Sequence, residues 1–163
     1  MKTIIQTLLC AALILLPNYG FAQTLGYKQA TDMDVSGIFI GGTYTKAQVL
    51  AQWGEPAQYW GESSEFGLSE VYDYVIDQLV HQFHFGDNGV FHTFNIRTSH
   101  FVVYTAFSGG IKVGDPISRI QSIGLGTPVL QSDGTYRLGQ GDDPLVFYHS
   151  NGIITRIYFM TSV

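Results

Sequence analysis

Only one cysteine occurs in the chain, and charged residues make up just 13% of it. The cysteine, Cys10, lies inside an apolar N-terminal run. Once that run is removed, a disulfide, a thiolate metal site and a cysteine nucleophile are all excluded. Basic residues are scarce: 8 Lys and Arg stand against 13 Asp and Glu, for a net charge of −5. So acidic a chain is poorly suited to phosphate backbones or anionic lipid, and no nucleic-acid partner is expected. No G-x-S-x-G elbow is present, and Gly139-x-Gly141 lacks the strand-to-helix setting of a phosphate cradle. No catalytic residue and no cofactor are therefore expected.

Residues 1–22 have the order of a cleavable secretory signal. Lys2 supplies the positive start, Ile4 to Leu16 the apolar core, Pro17 and Gly20 the break, and Gly20-Phe21-Ala22 the small-x-small cut site. The run of about 13 residues is shorter than the roughly 20 that span a bilayer, so no membrane span is expected after cleavage. Cys10 is misplaced for lipid attachment. A periplasmic or secreted location follows. Residues 23–36 read as a flexible leader.

What is abundant is aromatic and glycine-punctuated. Gly42-Thr43 … Gly54-Glu55-Pro56 returns, 72 residues on, as Gly114-Asp115 … Gly126-Thr127-Pro128. Phe85-Gly86-Asp87-Asn88-Gly89-Val90-Phe91 is echoed 63 residues on by Tyr148-His149-Ser150-Asn151-Gly152-Ile153-Ile154. Two anchors in one order indicate a tandem repeat, 37–107 and 108–163, the second shorter. Each copy opens with a short helix, Thr45–Trp53 and Pro116–Ile123. Thr43 and Asp115 are the expected caps, and Pro116 suits the first helical position. Strands are expected at Ala57–Gly61, Glu70–Ile76, Leu79–Phe85, Val90–Arg97, Phe101–Phe107, Val129–Ser132, Thr135–Leu138, Leu145–His149 and Ile153–Thr161. Ser108-Gly109-Gly110 reads as the linker. The expected fold class is α+β: two α/β repeats, each a short helical segment packed on one face of an antiparallel sheet.

Taking Asn88-Gly89 and Asn151-Gly152 as two-residue type I′ turns pairs Phe85 with His92, Phe83 with Phe94, His81 with Ile96, Tyr148 with Thr155 and Val146 with Ile157. Those residues form the expected apolar face. The opposite, open face then carries Gln82, His84, Thr93, Asn95 and Arg97 in copy one. In copy two it carries Leu145, Phe147, His149, Arg156 and Tyr158. Mixed aromatic and polar surface suits a protein interface. The stretch Glu62–Ser69, in which Tyr59, Trp60 and Phe66 flank acidic Glu62 and Glu65, is a protruding hairpin that either contacts a partner or tucks back onto the core. His81-x-x-His84 does not chelate one ion on a strand, because residues three apart face opposite ways, and no metal ligand set is nominated. Asp142-Asp143 before Pro144 is a solvated turn.

The unit of Gly, helix with Val49, Gly54-x-Pro56 and an Asn-Gly hairpin resembles the β-lactamase-inhibitory-protein-like fold, which includes the BamE-like (SmpA/OmlA-like) envelope proteins. That resemblance implies helices on one side of a sheet and an open, concave side that grips a protein. The chain differs from the inhibitor in its lack of cysteines after the signal, and from BamE in its lack of a lipidation cysteine. The leading expectation is an exported, non-catalytic protein-binding module, inhibitor-like or an envelope assembly partner. Its contacts would be His84, Asn95, Arg97, Phe147, His149, Arg156, Tyr158, Trp60 and Phe66. A BamE-like structural scaffold is a second reading, and a small ligand- or metal-binding protein or hydrolase a third.

Overall fold

The computed structural model describes residues 33–64, 67–105, 108–139 and 144–161. The chain is mostly β, built as two antiparallel sheets. This corrects the α+β expectation. Among the described residues the one α-helix is α1 (Lys46–Trp53), in the expected first copy; the second helical segment is a 3-10 helix, Ile117–Ser122. β-Branched Ile117, Ile120 and Ile123 disfavour a longer α-helix, and Gly124 and Gly126, both at positive φ, end it.

A four-stranded sheet runs β2 (Ile38–Phe39), β1 (Met33–Val35), β7 (Val103–Thr105), β8 (Ser108–Ile111). Met33–Val35, expected in the flexible leader, is a strand whose Met33 and Val35 are fully buried. Ser108-Gly109-Gly110, expected as a linker, belongs to β8, so the two expected repeats share this sheet. Strands this short carry too few residues for a period to show. The eight-stranded sheet is ordered β3 (Gln58–Ser64), β4 (Gly67–Ile76), β5 (Leu79–Gly86), β6 (Phe91–Ile96), β12 (Ile153–Met160), β11 (Leu145–Ser150), β10 (Tyr136–Leu138), β9 (Val129–Leu130).

The core holds Phe83, Phe85, Phe91, Phe94, Tyr72, Phe147, Ile157 and Phe159 from the large sheet, and Val35, Ile38, Val103 and Ile111 from the small one. Val49 and Trp53 of α1 join them. The Trp53 ring lies 4.4 Å from Phe83 and 5.6 Å from both Phe91 and Phe101. Thr45, not Thr43, caps α1: its hydroxyl accepts from Gln48 N, and the Gln48 side chain accepts from Thr45 N at 2.8 Å, a reciprocal capping box. Pro116 precedes the 3-10 helix as its cap, and Asp115 instead binds Arg119 at 2.9 Å.

The two hairpins that end β5 and β11 turn differently. Asn151 (φ 51°) and Gly152 (φ 76°) form the expected type I′ pair, whereas Asn88 is not at positive φ. Gly89 N donates to Gly86 O and Gly86 N to Val90 O, the wider turn closed by a left-handed glycine. Each turn is fastened to the segment before its helix in the same way. Tyr44 N donates to Gly89 O and Phe91 N to Gly42 O; Ile117 N donates to Gly152 O and Ile154 N to Asp115 O. By these bonds Gly42 corresponds to Asp115, one residue beyond the expected Gly114.

Candidate protein-binding face

β-Bulges decide which side chains face away from the core. The expected Phe83–Phe94 pair forms, but Phe85 pairs with Phe91 rather than His92, with a shift between His84 and Phe85. A second shift, between Tyr148 and His149, pairs Tyr148 with Arg156, Phe147 with Ile157 and Val146 with Tyr158. An extra residue in one strand reverses the facing of everything beyond it. The expected assignment of β11 is therefore inverted. Phe147 and Leu145 are 0% exposed in the core, and Val146 and Tyr148 take the other side. His149 packs on Tyr136, the cross-strand neighbour of Phe147, with ring centroids 5.5 Å apart, so it too leaves the proposed face.

Several expected contact residues do come together. Asn95 and Tyr158 are direct cross-strand partners at the β6–β12 junction. Arg156 Nε donates to Asn95 Oδ1 at 2.7 Å, and its guanidinium lies 4.8 Å from the Tyr148 ring centre and 5.4 Å from that of Tyr158. Two aromatic faces and an amide hold this cation in one position. Burial raises the Tyr158 phenol above its ordinary pKa, with the nearby Arg156 charge opposing the shift, so Tyr158 is a neutral hydrogen-bonding group there. Arg97 follows β6 and is exposed.

His84 faces Thr93, and its ring lies 6.3 Å from that of His92. Burial, helped by repulsion from His84, pushes the His92 pKa down to about 4, so this imidazole is neutral at pH 7. Among the described residues no group of three or more His, Cys, Asp and Glu side chains is placed to hold a metal ion. His81 is a core residue: Nδ1 accepts from Arg97 N at 3.2 Å and Nε2 meets the Thr98 hydroxyl at 3.3 Å.

Toward the other edge, residues 62–64 and 67–69 belong to the β3–β4 ladder, which continues to Ser64↔Gly67. Trp60 is opposite Val71 on the face turned from the core, 38% exposed. Its indole Nε1–H donates to Asp73 Oδ2 at 3.2 Å. Tyr59 points the other way, against Tyr72, with Lys46 Nζ 3.5 Å above its ring. Phe66, like Asp142, Asp143 and residues 1–22, lies outside the described residues.

No family model matches the chain, and no curated protein and no solved structure matches it. The face rests on its own geometry.

Sequence reasoning missed Asp73, Gln82's place beside it, Tyr148 and Met160. Asp73 pairs with Gln82, and Met160, 45% exposed, pairs with Thr93. Asp77 and Gln78 are two residues between two strands, and both adopt positive φ, which fixes the β4–β5 register. Asp-Gln is not a dipeptide that advertises such a turn.

Proposed function

We propose that this chain is an exported, non-catalytic protein-binding module, periplasmic or secreted, that engages its partner through the outward face of the eight-stranded sheet. The observation that carries the reading is the centre of that face. Asn95, Arg156 and Tyr158 are mutually fixed there, with Tyr148 and Met160 beside them; Trp60 lies on the same face at the β3 edge of the sheet. Rigid aromatic and arginine side chains lose little freedom on association, which is why they anchor interfaces. Among the described residues no helix is long and apolar enough to cross a membrane. The export part of the proposal rests on the 1–22 sequence pattern, and the likeness to the inhibitory-protein and BamE-like group remains a sequence resemblance.

The test is affinity capture from envelope and culture-supernatant extracts, with the chain and an Arg97→Ala/Tyr158→Ala variant as baits. One protein held by the first and lost by the second, with both baits folded, is the expected outcome. Equal capture by both rejects this face, and no specific capture by either rejects the protein-binding reading.

A further inference from the structure

We infer that Trp60 and Asp73 together form a receptor for one basic side chain, lysine or arginine, presented by the protein that docks on this face. The inference rests on the protein-binding reading and adds the chemistry of the partner.

Asp73 lies on β4 between Gln58 of β3 and Gln82 of β5 in the register, on the face turned from the core. It is only 8% exposed. One carboxylate oxygen, Oδ2, takes the Trp60 indole N–H; the other, Oδ1, is buried and has no hydrogen-bond partner. A carboxylate has about four acceptor positions, and a buried acceptor left without a donor is unfavourable. No ion pair to Asp73 forms among the described residues. The chain's own Arg156, on the same face, is committed to Asn95 and two tyrosine rings.

The ligand class follows from what this carboxylate lacks: a donor that also carries positive charge. Trp60 supplies the second half of the site. Indole is the best of the aromatic platforms for a cation, and this one is partly exposed on an edge strand. Its 3.2 Å bond to Asp73 is longer than a charge-assisted N–H···O⁻ bond normally is. An entering ammonium or guanidinium displaces the indole edge, reaches Oδ1 and remains over the ring. A net charge of −5 favours approach of a basic surface.

The two tryptophans, Trp53 and Trp60, give two indole N–H signals in a 15N-labelled sample, and Trp60→Phe assigns them. The probes are the blocked tripeptides Gly-Lys-Gly and Gly-Arg-Gly, with Gly-Gln-Gly as the uncharged control. The basic peptides are expected to move the Trp60 signal saturably and leave Trp53 in place. The glutamine peptide moves neither, and Asp73→Asn weakens the basic peptides at least tenfold. Trp60→Ala, followed through the Val71 and Gln82 amides, loses the saturable response and serves if Asp73→Asn does not fold. No saturable shift with either basic peptide, an equal shift with glutamine, or full response in Asp73→Asn overturns the receptor. Those outcomes leave the docking face to the capture experiment, which varies Arg97 and Tyr158 alone.

Discussion

Asn95 and Tyr158 face each other across the β6–β12 junction, and they are as far apart in sequence as the two Asn-Gly hairpins. Their neighbours cross over: Phe94 pairs with Phe159, and Ile96 with Ile157. The junction is thus locally two-fold, with each hairpin presenting the same strand to the other. Arg156 fastens it by its bond to Asn95. A hydrogen bond to a charged group contributes about 1.5–3 kcal/mol. Arg156→Ala and Asn95→Ala are each expected to lower stability by about 1–2 kcal/mol. The double variant should lose clearly less than the sum, as a urea-unfolding double-mutant cycle will show.

The two hairpin glycines differ in a way that mutation separates. Both Gly89 and Gly152 sit at φ 76°. A Cβ at Gly152 meets nothing within 4 Å, whereas at Gly89 it collides with the Tyr44 carbonyl oxygen. Gly152→Ala is expected to cost the left-handed strain alone, about 1–2 kcal/mol. Gly89→Ala adds a backbone clash where Tyr44 N donates to Gly89 O, and should unfold at distinctly lower urea than Gly152→Ala.

Trp53 joins α1 to both sheets. Its ring packs on Phe83, Phe85, Phe91 and Phe101, and its indole N–H reaches Ser36 O at 3.4 Å. Removal of a large aromatic from such a site costs about 3–5 kcal/mol. Trp53→Ala is expected to show that loss in thermal or urea unfolding, with Trp53→Phe retaining much of the packing.

Acid should destabilise the fold through two histidines. Burial is the main cause that lowers both His81 and His92 to about 4. The unfolded chain takes up these protons near pH 6.5, while the folded chain resists until about pH 4. Their contribution is therefore complete above pH 6.5 and is lost as pH falls through that window, by up to about 1.4 kcal/mol per pH unit for each. At His81 the charges of His100 and Arg97 add to burial, and a proton on Nδ1 would also displace the bond it accepts from Arg97 N. Unfolding followed from pH 7 to pH 4 should show the decline, and His81→Gln should reduce its slope.

By itself the sequence determined most strand positions. Leu79–Gly86, Tyr136–Leu138, Leu145–Ser150 and Ile153–Met160 fall within a residue of expectation, as does α1. These elements are bounded by local chemistry: Gly54 ends the helix, and the Asn-Gly turns separate aromatic, β-branched runs. The small sheet was not legible, because Met33–Val35 pairs with Val103–Thr105 far along the chain, and two- or three-residue strands carry no period.

Tertiary structure decided the face. Strict alternation placed Phe147 and His149 outward; one extra residue near Tyr148/His149 turned them inward, and a bulge is a property of the pairing rather than of either strand. Asn95, Arg156 and Tyr158 face outward because β6 and β12 pair without a shift, with Phe94 opposite Phe159 and Ile96 opposite Ile157 holding the core side. Asp73 became distinctive only through its neighbours: its exclusion from water and its one unpartnered oxygen arise where β3, β4 and β5 lie side by side. Local sequence sets where a chain turns and extends, whereas which polar atom ends without a partner depends on every strand packed around it.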